Sequence, residues 1–306
     1  TPCGTLFPYT TLFRSARVTR AALQVLPDGL PAFLGRQADL AAHCAHDPDL
    51  FTRPLAAKAL HHAEAPEHYF DLERLGGTDV PRRRYELLAW CFANDLTPEK
   101  VGLAPYAIQE WTGRLTVAFA EQRRWPDNPH IRRKIAVYVG HLSHYAADLC
   151  MPLHTTIHYD GRVAADGKSP RSGIHLKMDA LLQKLPAGPV KLPRGAVRPY
   201  ADLWAGVHSE LQDSHRLVNR VYALEADLPA LQEPLPPKGP VAELAAERMA
   251  ASTRFVARLI ATAWADSAGV KIPKWHHRAA AGGGAQSDYR NTRPAGDAQP
   301  PDAPPK

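Results

Sequence analysis

The sequence is poor in sulfur. Of 306 residues only four are cysteine and three methionine, and no two cysteines stand in CxxC spacing. That excludes a disulfide framework and a zinc knuckle built on thiolates. Cys44, Cys91 and Cys150 are expected to be ordinary buried thiols. Long apolar runs are missing too. No window approaches the roughly 18 residues that span a bilayer, so no transmembrane segment is expected. Sustained alternation of apolar and polar residues between hairpin turns is absent, which argues against a β-sheet. No internal repeat is found.

What remains is helical periodicity from Ala16 onward in a chain that is 45% hydrophobic. The expected class is all-α, a single helical domain. The periodicity predicts helices over 16–26, 31–44, 53–63, 82–95, 104–123, 130–150, 173–184, 198–225 and 239–268. Twenty-nine prolines, about twice the usual share, punctuate most gaps together with glycine. The longest connection without a helical pattern is "HYDGRVAADGKSPRSG", 158–173, and a loop of that length inside a domain is more often functional than not. The net charge of +6 comes partly from runs at 82–84, 123–124 and 132–134, which are expected to be solvated helix faces.

Both ends are set apart. Residues 5–15, "TLFPYTTLFRS", read as the translation of a common sequencing-library adapter, so protein-like sequence is expected to begin near Ala16, with 1–15 a non-native segment. The tail 276–306 has almost no large aliphatic side chains and is expected to be disordered. The domain is then 16–275.

The chemistry concentrates in "HYAADLCMPLH", 144–154. His144 and Asp148 share one helix face at i and i+4. Pro152 is expected to end that helix just before His154. The same spacing recurs in "GIHLKMDALL", where His175 and Asp179 lie one turn apart. Two such pairs and a further histidine supply imidazole and carboxylate ligands in the proportions zinc accepts. A lone His-x-x-x-Asp pair is often only a surface hydrogen bond. The first pair, however, sits amid "IAVYVGHL" and "AADLCMPL", where unpaired charge would be costly. Upstream, "HDPDLFTR" contributes Asp49 and "EAPEHYFDLE" contributes His68.

In this order, Asp49, His68, His144, Asp148, His154, His175 and Asp179 resemble the zinc-dependent phospholipase C and single-strand-specific nuclease superfamily, whose helical fold holds three zinc ions. The resemblance spans about residues 16–275. It implies that Asp49, His68 and His144 hold one zinc, that His154, His175 and Asp179 hold another, and that Asp148 bridges the first to a third. It further implies hydrolysis of phosphodiester bonds, with Asp49 the expected catalytic carboxylate that orients or deprotonates the attacking water. Tyr69 and Asp71, in the family's His-aromatic-x-Asp pattern, are candidates for the substrate pocket. Tyr69 would stack a base as in the nuclease branch or pack in the core. The substrate would be a phospholipid head group or single-stranded nucleic acid, and the setting secreted or periplasmic.

The chain departs from the family in two places. The third zinc of the family is held by the α-amine and carbonyl of an N-terminal tryptophan and by a nearby histidine. Here the first tryptophan is Trp90, so two complete zinc sites are expected and the chain as it stands is expected to be weakly active or inactive. Asp47 and Thr52 stand where the nuclease branch has an aromatic and a basic residue, which weighs against a specific endonuclease. Two other readings stay open. One is an inactive or structural zinc-binding helical domain. The other is a phosphohydrolase using the His46-Asp47 dipeptide, which leaves both His-x-x-x-Asp pairs unexplained.

Overall fold

Helices account for the fold of this protein, described by a computed structural model over residues 10–53, 58–193 and 195–276, with side chains from residue 14. Among the described residues thirteen α-helices follow one another: α1 Thr10–Gln24, α2 Phe33–Arg36, α3 Ala38–Cys44, α4 Asp47–Phe51, α5 Lys58–Glu64, α6 Arg84–Ala93 and α7 Pro98–Val101 lead into α8 Ala104–Arg124 and α9 Pro129–Leu149. Then come α10 Ile174–Lys184, α11 Leu203–His215, α12 Val218–Ala223 and α13 Pro240–Asp266. The described residues contain no strand, only an isolated antiparallel bridge between Phe70 and Gly102. The all-α expectation holds.

α9 is the axis of the fold. Its start is fixed by Asn128, whose side chain accepts from the backbone N–H groups of His130 and Ile131, and by Pro129 in the first turn. From Val139 to Thr156 every residue is buried, polar ones included, because neighbouring elements cover the end of α9 on all sides. α8, α3, α13 and α1 pack around it. α1 also lies along α10, where Arg17 donates to the carbonyls of Gln183 at 3.1 Å and Leu185 at 2.6 Å and so caps the open C-terminal end of that helix.

Several boundaries differ from expectation. The predicted helix 31–44 is two helices that part at Gln37, whose backbone leaves helical geometry at φ −101°, ψ 10°, two residues after Gly35 weakens the turn. The predicted 198–225 is also two helices. The first begins at Leu203 because Asp202 caps it through the Ala205 N–H, and the second resumes at Val218. In the predicted 53–63, α5 begins at Lys58 and residues 54–57 lie outside the described residues. α4 and α7 were not expected; Pro48 and Pro98 open them.

The chain divides into two units, residues 1–271 and 272–306. The first carries all thirteen helices. The second is described only over 272–276, and the expected disordered tail otherwise lies outside the described residues, as do residues 1–9 of the set-apart N-terminal segment. The 15/16 boundary falls inside α1. No helix among the described residues is long and apolar enough to cross a membrane. Cys44, Cys91 and Cys150 are free and buried.

Candidate metal centre

A close helix contact sets the first cluster. A Cβ at Gly140 would lie 2.5 Å from the Ala41 carbonyl oxygen and 2.9 Å from the Ala45 nitrogen, so only glycine lets the end of α3 press onto α9. One turn later the Ala45 carbonyl accepts from His144 Nδ1 at 2.9 Å. That bond places a proton on Nδ1 and turns Nε2 inward toward the cluster. Nε2 then lies 3.0 Å from His68 Nδ1, 3.3 Å from Asp148 Oδ2 and 3.9 Å from Asp49 Oδ1. Asp49, His68 and His144 each offer a ligand atom, all within 4.8 Å of one another.

The second cluster begins where α9 stops. Met151 is extended, as a residue before proline prefers, and Pro152 opens a single 3-10 turn that ends at His154. His154 Nδ1 donates to the His68 carbonyl at 2.8 Å, leaving Nε2 3.3 Å from Asp179 Oδ1. His175 Nε2 lies 3.4 Å from Asp179 Oδ2. These three residues form a second set, again within 4.8 Å.

Asp148 stands between the two. Its Oδ2 is 2.9 Å from His68 Nδ1 and 3.9 Å from His154 Nδ1. Its other oxygen accepts from Arg14, whose guanidinium also donates to Asp179. Arg14 is 1% exposed. It lies in the N-terminal segment that the sequence reading set apart, which is why that reading passed over it.

Charge within the cluster is tightly balanced. Burial alone would lower the pKa of His144, but Asp148 and Asp49 outweigh burial and raise it to about 9. His154 is raised by Asp148 and Asp179 against the same opposition. Burial lowers His175. Asp148 and Asp179 are held below the usual carboxylate range, against burial, by the histidines and Arg14.

The donor set fits a divalent metal. Two groups of two imidazoles and one carboxylate are the nitrogen and oxygen ligands zinc takes. Asp49 Oδ2 is buried with no hydrogen-bond partner among the described residues. Such an orphan costs about 1–3 kcal/mol, a cost that a cation beside it would remove.

Three supporting residues were missed in the sequence. Glu64 lies one turn before His68, with Oε1 4.0 Å from its Nε2. Tyr145 donates its hydroxyl to Glu64 and packs its ring 5.5 Å from that of His68. The Glu-x-x-x-His spacing of 64 and 68 was the available signal. The third is Arg14. His141, one turn before His144 on α9, pairs its Nε2 with Asp47 at 3.2 Å and packs against Trp111 and Phe51.

The two substrate-pocket candidates sit on the Phe70 to Gly102 bridge. At Gly102, with φ +92°, a Cβ would collide with the Tyr69 carbonyl, so glycine is needed for the close approach. The Tyr69 hydroxyl donates to the Glu99 carbonyl, and burial pushes its pKa up to about 12. Asp71 is 9% exposed. Burial, with Glu73 adding to it, raises its carboxyl to about 7.

No family model matches the sequence, and no curated protein matches it. Among solved structures the chain is similar to the alpha toxin from Clostridium absonum, with 12% identity and a TM-score of 0.49 over 85% of this chain. The chain spans 66% of that toxin's length, just under two thirds. The all-α class therefore rests on the thirteen helices among the described residues.

Proposed function

We propose that this chain is a zinc-dependent hydrolase of phosphodiester bonds. The observation that carries the reading is the convergence of Asp49, His68 and His144 beside His154, His175 and Asp179, with Asp148 between them. These residues come from α4, the turn before Tyr69, α9, the turn after it and α10. Seven residues that the sequence orders as in the phospholipase C and single-strand nuclease superfamily thus meet at one place.

In this reading Asp49, His68 and His144 hold one zinc, His154, His175 and Asp179 a second. Bound zinc would lower the pKa of water and polarise phosphoryl oxygens. Asp49 orients the attacking water through the carboxylate oxygen that has no partner among the described residues. Asp148, flanked by both groups, keeps the two sets of ligands in register. Tyr69 and Asp71 face the substrate. A phospholipid head group and single-stranded nucleic acid are both phosphodiesters that this chemistry would cleave, and an extracytoplasmic setting accompanies the family resemblance.

A second reading has its own observation in favour. Arg14 takes one oxygen each of Asp148 and Asp179, so a cation of the chain already occupies the bridging position the resemblance gives to a third zinc. The chain would then be a zinc-holding scaffold without turnover. Hydrolysis of bis-p-nitrophenyl phosphate by the full chain, with and without added zinc, separates the two. Zinc-dependent turnover lost in Asp49→Ala supports the hydrolase. Stoichiometric zinc without turnover supports the scaffold, and no zinc uptake by a folded chain overturns both.

A further inference from the structure

The loop singled out in the sequence, 158–173, forms one wall of a cavity of about 400 Å³, within the size range of small-molecule sites. The loop is tied down along its length. Gly161 N donates to the Tyr222 hydroxyl at 3.0 Å, Val163 N to His158 Nδ1 at 2.9 Å, and Ser169 Oγ to the Asp160 carbonyl at 2.8 Å. Arg162 lies over the Tyr222 ring at 4.1 Å. Pro170 packs so tightly on Gly161 that a Cβ there would fall 2.4 Å from its Cγ. The wall is built before any ligand arrives.

The cavity adjoins the second metal-type cluster. Tyr159, which lines it, places its ring edge-on to that of His175 at 6.1 Å, and Asp160 accepts from the His175 N–H at 3.4 Å. Three cations line it, Arg74, Lys168 and Arg171. Lys168 has an exposed partner in Asp166 at 3.3 Å. Arg74 and Arg171 have no carboxylate within salt-bridge distance among the described residues. On the inner side lies Asp71, nine-tenths buried, whose carboxyl receives no hydrogen bond from the described residues.

We infer that this cavity binds a phosphorylated polyol, its phosphate held by Arg74, Lys168 and Arg171 and a hydroxyl bonded to Asp71. Guanidinium groups match phosphate oxygens in pairs, and an unpartnered buried carboxyl asks for a hydroxyl or amine. A nucleobase would need a flat apolar face. Tyr159 is the one ring among the residues that line the cavity, with no second aromatic there to sandwich a base. The inference deepens the phosphodiesterase reading and rests on it for one step: the cavity adjoins a reaction centre, so the favoured substrate carries a phosphomonoester on the group next to the scissile phosphodiester.

The test separates the two claims by measuring binding without catalysis. Glycerol 3-phosphate, inorganic phosphate and thymidine 5′-monophosphate are titrated by calorimetry into the full chain kept metal-free with chelator. Glycerol 3-phosphate should bind, and Arg74→Ala and Arg171→Ala, both at exposed positions, should each weaken it by about tenfold with melting unchanged. Asp71→Asn should weaken glycerol 3-phosphate about threefold and leave inorganic phosphate unaffected. No binding, or binding indifferent to both arginines, overturns the proposal. Tighter binding of the nucleotide than of glycerol 3-phosphate overturns the assignment to a polyol.

Discussion

His68 Nδ1 lies 3.0 Å from His144 Nε2, two ring nitrogens aimed at each other across the same small space. The proton of His144 is engaged at Nδ1 by the Ala45 carbonyl. The facing nitrogens therefore either share a proton or share a cation. With Asp49 alongside, the second arrangement uses every donor.

Zinc content follows directly. The full chain should retain about two zinc ions after exhaustive dialysis. His144→Ala and His175→Ala should each retain about one, since the two groups share no ligand, and the double variant none. Elemental mass spectrometry reads the result. A single substitution that empties both sites would show one joint centre instead of two.

Arg14 and zinc should compete for the same carboxylates. Arg14→Met leaves Asp148 and Asp179 buried without their cation, which should cost the metal-free chain about 3–5 kcal/mol. Saturating zinc should recover most of that loss, because the metal neutralises the same oxygens. Chemical denaturation with and without zinc measures both differences. A gap of the same size in zinc would show that metal and guanidinium do not compete.

The stability of the protein should carry the signature of Asp71. Burial pushes its carboxyl up to about 7 in the folded chain from an ordinary 3.8, so the folded state holds its proton more firmly than the unfolded one. Below about pH 4 both states are protonated and Asp71 costs nothing. As pH rises from about 4 to 7 the unfolded chain ionises first and stability falls. Asp71→Asn removes the penalty. The variant should match the parent near pH 4 and exceed it by about 2–4 kcal/mol at pH 8. Equal stability at pH 8 would show that the carboxyl ionises freely in the fold.

Gly140→Ala should disturb the first cluster from a distance. The added methyl meets the Ala41 carbonyl, part of the backbone of α3, so the two helices must separate. We expect a loss of about 1–3 kcal/mol and weaker zinc binding at Asp49, His68 and His144, with the second cluster intact. Zinc affinity measured in His175→Ala with and without Gly140→Ala isolates the effect.

The helical class was legible because helix periodicity is a local signal, and two ligand spacings were legible for the same reason, whereas Asp49 and His68 carry no local signal and enter only through the order of the set. His144 with Asp148, and His175 with Asp179, announce themselves at i and i+4. Breaks inside predicted helices were not legible. At Gln37 the break reflects packing with a weak turn at Gly35, and at Leu203 it follows from a cap by Asp202 that periodicity alone does not register. Arg14 was invisible for another reason. Nothing in its own neighbourhood signals that α1 will lay it between two carboxylates 134 and 165 residues away. The cations of the cavity, spread over Arg74, Lys168 and Arg171, likewise converge only in three dimensions.

The span of chain closed by these contacts sets an order of events in folding. Bringing His68 to His144 closes 76 residues, and bringing Arg14 to Asp179 closes 165. Such distant pairings come together after local helices have formed and docked. Neither cluster exists in a partly collapsed chain, and a protein synthesised from its N-terminus carries Asp49 and His68 long before residues 144–179 emerge to complete either set. If the proposed sites take up zinc, uptake at each would mark a late step of maturation, and the rate at which a refolding sample sequesters the metal would time the docking of the helices that carry its ligands.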